Sequence, residues 1–128
     1  PIMVSLYINE DNQQNIGSFF KLPIERLMIN CCSFSKLTTF YHQYLKQQSW
    51  GEINFGFYCN KINEEAYAID CQVSNLQKFK NQQHMSTESL QSFLQGLPFK
   101  NILIGGCCGY GVEEMRELSH IIKSIQGL

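Results

Sequence analysis

Hydrophobic positions along the chain switch between two periods. Ile2, Val4, Leu6 and Ile8 recur at every second residue, with Met3, Ser5 and Tyr7 between them. Pro1–Ile8 is therefore predicted as a strand, apolar enough to be buried on both faces. Glu10 to Asn15 is polar and reads as a turn, and Ile16 to Leu22 as a short helix weakened by Gly17 and ended by Pro23. Leu27 to Asn30 is a second strand. From Ser33 to Ser49 the period lengthens. Leu37, Phe40, Tyr41, Tyr44 and Leu45 then share one helical face, with Ser33 or Ser35 as the cap. That aromatic stripe reads as core rather than as a ligand box. Ile53 to Asn60 is a third strand, with Phe55, Phe57 and Cys59 on one side. Lys61 to Met85 is long and polar and holds Cys71 and His84; loops of this length usually serve function. Ser86 or Thr87, with Glu88, opens a helix carrying Leu90, Phe93, Leu94 and Leu97, and Gly96 and Pro98 stop it. Ile102 to Ile104 is a fourth strand. The last helix runs from Val112 to Ile125, with Met115, Leu118, Ile121, Ile122 and Ile125 facing inward.

Strands alternating with helices imply a parallel sheet with right-handed crossovers. The expected architecture is α/β, four β-α units in one domain spanning residues 1–128. The 128 residues and 44% hydrophobic content suit one globular domain. A net charge of −1 gives no electrostatic case for nucleic acid or an anionic membrane. No apolar run approaches the roughly 20 residues that span a bilayer, and no secretory signal opens the chain. Six cysteines could suggest disulfides. Four of them form the adjacent pairs Cys31-Cys32 and Cys107-Cys108, and adjacent cysteines rarely bridge each other. A reducing, cytoplasmic setting with metal-bound thiolates is the better reading.

The candidate chemistry lies in Gly105-Gly106-Cys107-Cys108-Gly109, a turn between the fourth strand and the last helix. The carboxyl edge of a parallel sheet is where ligands bind. The flanking glycines let the backbone leave strand geometry so that both thiols can face one ion. The following helix N-terminus favours thiolate. A paired thiolate site for zinc is one reading, and two small buried core residues the other. His42, His84 and His120 lack ligand spacing to each other or to a cysteine. Cys59 and Cys71 read as packing residues.

Gly105-Gly106-Cys107-Cys108-Gly109, together with the earlier Leu27-Met28-Ile29-Asn30-Cys31, resembles the two cysteine motifs of the zinc-dependent homocysteine S-methyltransferases. The resemblance spans most of the chain. It implies that Cys31, Cys107 and Cys108 bind one Zn²⁺, with Cys32 a poorer fit than Cys31, and that homocysteine sulfur takes the fourth position. It implies methyl transfer from a donor to homocysteine, forming methionine. Asn30, Asn60 and Tyr110 become candidate substrate-binding residues, although Asn60 also suits a plain turn. After Gly109 the family usually carries Thr, Pro and Glu-His, where this chain has Tyr110, Val112 and Glu113-Glu114.

A closed (β/α)₈ barrel takes roughly 250 residues, so four units correspond to half of one. The order of motifs implies the C-terminal half. The acidic and glycine-rich motifs of the family's first strands are not found in this chain. Half a barrel exposes a sheet edge and an apolar face, which favours a homo-oligomer or a complementing N-terminal half. The competing expectation is a catalytically incompetent zinc-binding or structural half-barrel acting through oligomerisation.

Overall fold

A computed structural model describes residues 1–60 and 86–127. The polar segment Lys61 to Met85, with Cys71 and His84, lies outside the described residues. Strands β1 (Met3–Tyr7), β2 (Arg26–Cys32), β3 (Asn54–Cys59) and β4 (Ile102–Gly106) form one parallel sheet in the order β1-β2-β3-β4. Helices α1 (Glu10–Phe19), α2 (Phe34–Phe40), α3 (Thr87–Gln95) and α4 (Val112–Gln126) alternate with them. This is the expected arrangement of four β-α units in chain order. Among the described residues, no helix is long and apolar enough to cross a membrane.

The two faces of the sheet differ. On the helix side, Leu27, Ile29, Phe55 and Phe57 are fully buried against Leu37, Phe40, Tyr41, Leu45, Leu90 and Phe93. Phe55 sits among Tyr41, Trp50, Phe57 and Phe99 with ring centroids 5.5–6.0 Å apart. The aromatic stripe of α2 is therefore core. On the other face the register aligns Ser5, Met28, Gly56 and Leu103 in one row and Tyr7, Asn30, Tyr58 and Gly105 in the next. Met3 and Tyr7 are 57% and 48% exposed, and Leu103 is 42% exposed. The first strand was expected to be buried on both faces; it is buried on one, because among the described residues no layer covers the other side. Met28 escapes exposure by lying across Gly56, where an added Cβ would stand 2.3 Å from its sulfur.

Local chemistry explains where elements begin. Helix α1 starts at Glu10, in the segment expected to be a turn. Asn9 caps it by accepting from the Asn12 N–H at 2.8 Å, and Glu10 and Asp11 suit the positive end. Helix α2 is capped by Ser33, which accepts from Lys36 N–H. Its last turn, Tyr41–Leu45, widens so that Lys46 N–H donates to Tyr41 O at 2.8 Å. Trp50 Nε1–H then donates to Leu45 O and ends the segment short of Ser49. Ser86 caps α3. On α4, Leu118 is buried and Ile121, Ile122 and Ile125 are half-buried, but Met115 is 39% exposed instead of facing inward.

Candidate metal centre

Three strand ends bring five thiols to one edge of the sheet. All five are free: Cys31 and Cys32 at the end of β2, Cys59 at the end of β3, and Cys107 and Cys108 just past β4. Strand alternation would send Asn30 to the open face, Cys31 into the core and Cys32 back to the open face. The chain does otherwise. The pairing slips between Asn30 and Cys32, and Cys31 adopts φ 52°, the left-handed region that non-glycine residues seldom enter. The extra residue is Cys31 itself. Cys32 then pairs with Cys59, and both point to the helix side with exposures of 0% and 1%. Cys31 is released towards the mouth of the open face, half-buried. The backbone thus gives two adjacent thiols different surroundings, the core for Cys32 and the sheet edge for Cys31.

Across the sheet, the Cys31 and Cys107 sulfurs lie 2.6 Å apart, sharing an S–H···S hydrogen bond. Cys108 interacts with both. The hydrogen bond to Cys107, then burial, pushes the Cys31 thiol up to about 12. Burial, then the neighbouring Cys107, raises the Cys108 thiol. The sequence expects the α4 N-terminus to favour thiolate at this turn. That terminus begins at Val112, beyond the turn, and Gly111 N–H is taken by the Glu114 carboxylate at 2.9 Å. Cys59 is also raised, by its hydrogen bond to Cys32 and by burial, which suits a core thiol.

Among the described residues, no three His, Cys, Asp or Glu side chains already stand as a metal-ligand set. The donor chemistry nevertheless fits zinc. Cys31, Cys107 and Cys108 are half-buried thiols at two strand ends, and the Cys31 and Cys107 sulfurs already stand within reach of one ion. Zinc–thiolate bonds of about 2.3 Å at tetrahedral angles put two sulfurs about 3.8 Å apart, so Cys31 and Cys107 must separate by about 1.2 Å. Rotation about the side-chain bonds supplies movements of that size. His42 and His120 are exposed on helical segments.

Asn30 lies one row beneath the sulfurs, between Tyr7 and Tyr58. Its Oδ1 is buried with no hydrogen-bond partner among the described residues. A buried acceptor of this kind costs about 1–3 kcal/mol unless a ligand or water satisfies it. Tyr58 lies over Gly105, where a Cβ would meet its ring at 2.3 Å. Tyr110 folds back over Gly106 in the same way, at 2.2 Å, and its N–H donates to Cys107 O at 3.0 Å to close the turn. Burial, followed by nearby Cys59 and two glutamates, raises the Tyr110 phenol to about 12. The Tyr110 ring borders a shallow apolar hollow with Val112 and Met115.

Asn60 is the buried polar residue of the described chain, at 8% exposure. Its N–H donates to Cys32 O at 2.8 Å, and its Oδ1 accepts from Cys108 N–H at 3.2 Å. Beside it, Cys59 O accepts from Cys107 N–H at 2.9 Å. The sequence marked Asn60 as a strand end; it carried no sign of these two bonds, which depend on residues far away in the chain. Tyr58 was missed as well, because only the register shows it bordering the site.

The model of a protein family described as homocysteine S-methyltransferase matches residues 1–122. No curated protein and no solved structure gives a match. With nearly the whole chain covered, and its cysteine turns meeting at the sheet edge, the chain belongs to the homocysteine S-methyltransferase family, whose reaction is methyl transfer to the homocysteine thiol.

Proposed function

We propose that this chain supplies the metal half of a homocysteine methylation site, with Cys31, Cys107 and Cys108 as ligands of one Zn²⁺. The observation that carries the reading is the left-handed bulge at Cys31, which turns that thiol away from the core and onto Cys107. Three protein ligands leave a fourth position for substrate, the pattern of a catalytic zinc site. Bound zinc supplies the positive charge that lowers the pKa of an acceptor thiol and keeps it a nucleophilic thiolate.

The chain's own residues do the rest. Asn30 offers its Oδ1, which has no partner among the described residues, to a donor group of the amino-acid substrate. Tyr58 and Tyr110 wall the two sides of the turn and limit water. The acceptor's proton leaves to solvent through the open mouth. The acceptor sulfur then attacks the donor's methyl carbon. The sulfur–carbon bond forms as the methyl–donor bond breaks, and the electron pair departs with the donor. Holding both partners in line supplies much of the rate.

The open sheet face needs a cover. Its apolar Met3, Tyr7 and Leu103 and the edges of β1 and β4, the outer strands among the described residues, are completed, in this reading, by further β-α units. A second copy of the chain or an N-terminal half provides them, giving a closed barrel in which these units form the C-terminal half. The isolated 128 residues then bind zinc without robust turnover. Zinc per chain, solution mass and methionine formation with a panel of methyl donors test this together. Zinc bound at one per chain with feeble turnover supports it. A chain that binds no zinc contradicts the site, and efficient turnover by a monomer contradicts the need for completion.

A further inference from the structure

We infer that Asn60 is the positioning residue that sets the distance between the two cysteine turns. The inference rests on the metal-site reading above but is carried by separate contacts. Cys31-Cys32 ends β2, and Cys107-Cys108 follows β4. These strands are not neighbours; β3 lies between them. Whatever aligns their ends must cross β3, and Asn60 is the residue immediately past it.

Its backbone N–H holds Cys32 O on one side, and its side-chain Oδ1 holds Cys108 N–H on the other. Cys59 O extends the regular ladder to Cys107 N–H and no further. Beyond that point the Cys107-Cys108 turn has left strand geometry, and the Asn60 side chain replaces the missing backbone partner. The bond to Cys108 N–H is part-buried, and losing it leaves a donor with restricted access to water, so it holds the geometry of the turn. The side-chain amide thus ties Cys108 to the strand end whose backbone also holds Cys32, and through Cys108 it limits how far the turn can stand from Cys31.

The choice of amide over carboxylate also has a reason. An aspartate could accept the same hydrogen bond, but it would place a further negative charge beside three thiolates. Leucine has a similar size and accepts nothing. Asn60 touches no reacting atom in this account; it acts through Cys108 and Cys32.

The test uses the full chain with Asn60→Leu, Asn60→Ser and Asn60→Asp, after circular dichroism has verified each fold. Co²⁺ alone is the first probe, since its sulfur charge-transfer band reports how many thiolates bind. Asn60→Leu and Asn60→Ser are expected to lose about one thiolate's share of the band and to bind Co²⁺ about 10- to 100-fold more weakly, the usual scale for residues that orient ligands. Asn60→Asp is expected to keep the full band, with weaker affinity. The second probe is dibromobimane on the metal-free chain, which fluoresces on bridging two nearby thiols. Peptide mapping is expected to show the Cys31–Cys107 bridge in the wild type and at least fivefold less in Asn60→Leu and Asn60→Ser. If Asn60→Leu does not fold, Asn60→Ser decides. Unchanged bridging and an unchanged Co²⁺ band in the folded variants overturn the inference. A wild type that bridges normally but binds no Co²⁺ through thiolates sinks the metal-site reading, while the bridging result still decides the role of Asn60.

Discussion

Cys31 and Cys32 are adjacent in sequence and opposite in fate. Cys32 pairs with Cys59 on the helix side of the sheet, fully buried, where a thiol behaves as a small apolar residue. Cys31 leaves the core, half-buried, and its sulfur meets that of Cys107, beside the half-buried Cys108. One residue of bulge separates a packing thiol from a candidate ligand. The lesson is that the number of cysteines at a sheet edge says little until the backbone decides which face each one serves.

The comparison can be broken most sharply by exchanging serine for one sulfur at a time. Cys31→Ser and Cys107→Ser are expected to weaken zinc binding by more than about 100-fold and to abolish methyl transfer by the completed protein. Cys32→Ser and Cys59→Ser should leave zinc per chain unchanged in whatever fraction folds. Mass spectrometry of the native protein and a zinc-release assay with a coloured chelator would read both. Equal zinc loss in the two groups would erase the distinction between them.

The second-largest effect contrasts the faces themselves. Phe55→Ala, in the aromatic cluster of the helix side, is expected to cost about 3–5 kcal/mol in urea unfolding. Met3→Ser on the open face of the isolated chain should stay within about 0.5 kcal/mol and reduce self-association. A large cost at Met3 would mean that this face is already covered in solution.

A third variant sharpens the account of the turn. Gly106→Ala puts a Cβ 2.2 Å from the Tyr110 ring and should displace it. We expect a loss of about 1–3 kcal/mol, the usual range for overpacking, with Tyr110 fluorescence becoming more solvent-exposed. No change in fluorescence would show that the ring is not held there.

The smallest effect concerns alkaline pH. Burial raises the Tyr41 phenol above its ordinary value near 10. The fold therefore prefers the neutral form, and the unfolded chain loses its proton first. The stabilisation is complete below pH 10 and fades as pH rises beyond it. Tyr41→Phe should show a shallower decline than wild type above pH 10 in denaturant melts. Parallel declines would remove Tyr41 from the alkaline response.

Much of the fold was legible because its strands and helices have distinct periods. Phe55, Phe57 and Cys59 do share one face, and Leu37, Phe40 and Tyr41 do point into the core. Helix α1 was placed too late because Glu10 to Asn15 is polar; its stability comes from the Asn9 cap and from Ile16, the buried residue of that helix. Met3 and Tyr7 read as buried because an apolar pattern cannot show that, among the described residues, no layer covers that face. At the site, the meeting of Cys31 with Cys107 was implied by resemblance, but the bulge that turns Cys31 outward was not visible. Alternation predicts the opposite side, and a left-handed φ at a cysteine has no signature in residue type. The clasp through Asn60 was out of reach for another reason: hydrogen bonds between distant strand ends leave no periodic trace.

The most direct test is zinc K-edge X-ray absorption on the purified, zinc-loaded chain, compared with its Cys31→Ser and Cys32→Ser variants. We expect three sulfur neighbours at about 2.3 Å in the wild type and in Cys32→Ser, and two in Cys31→Ser. A sulfur count that falls with Cys32 but holds without Cys31, or a wild-type shell of nitrogen and oxygen alone, would contradict the account.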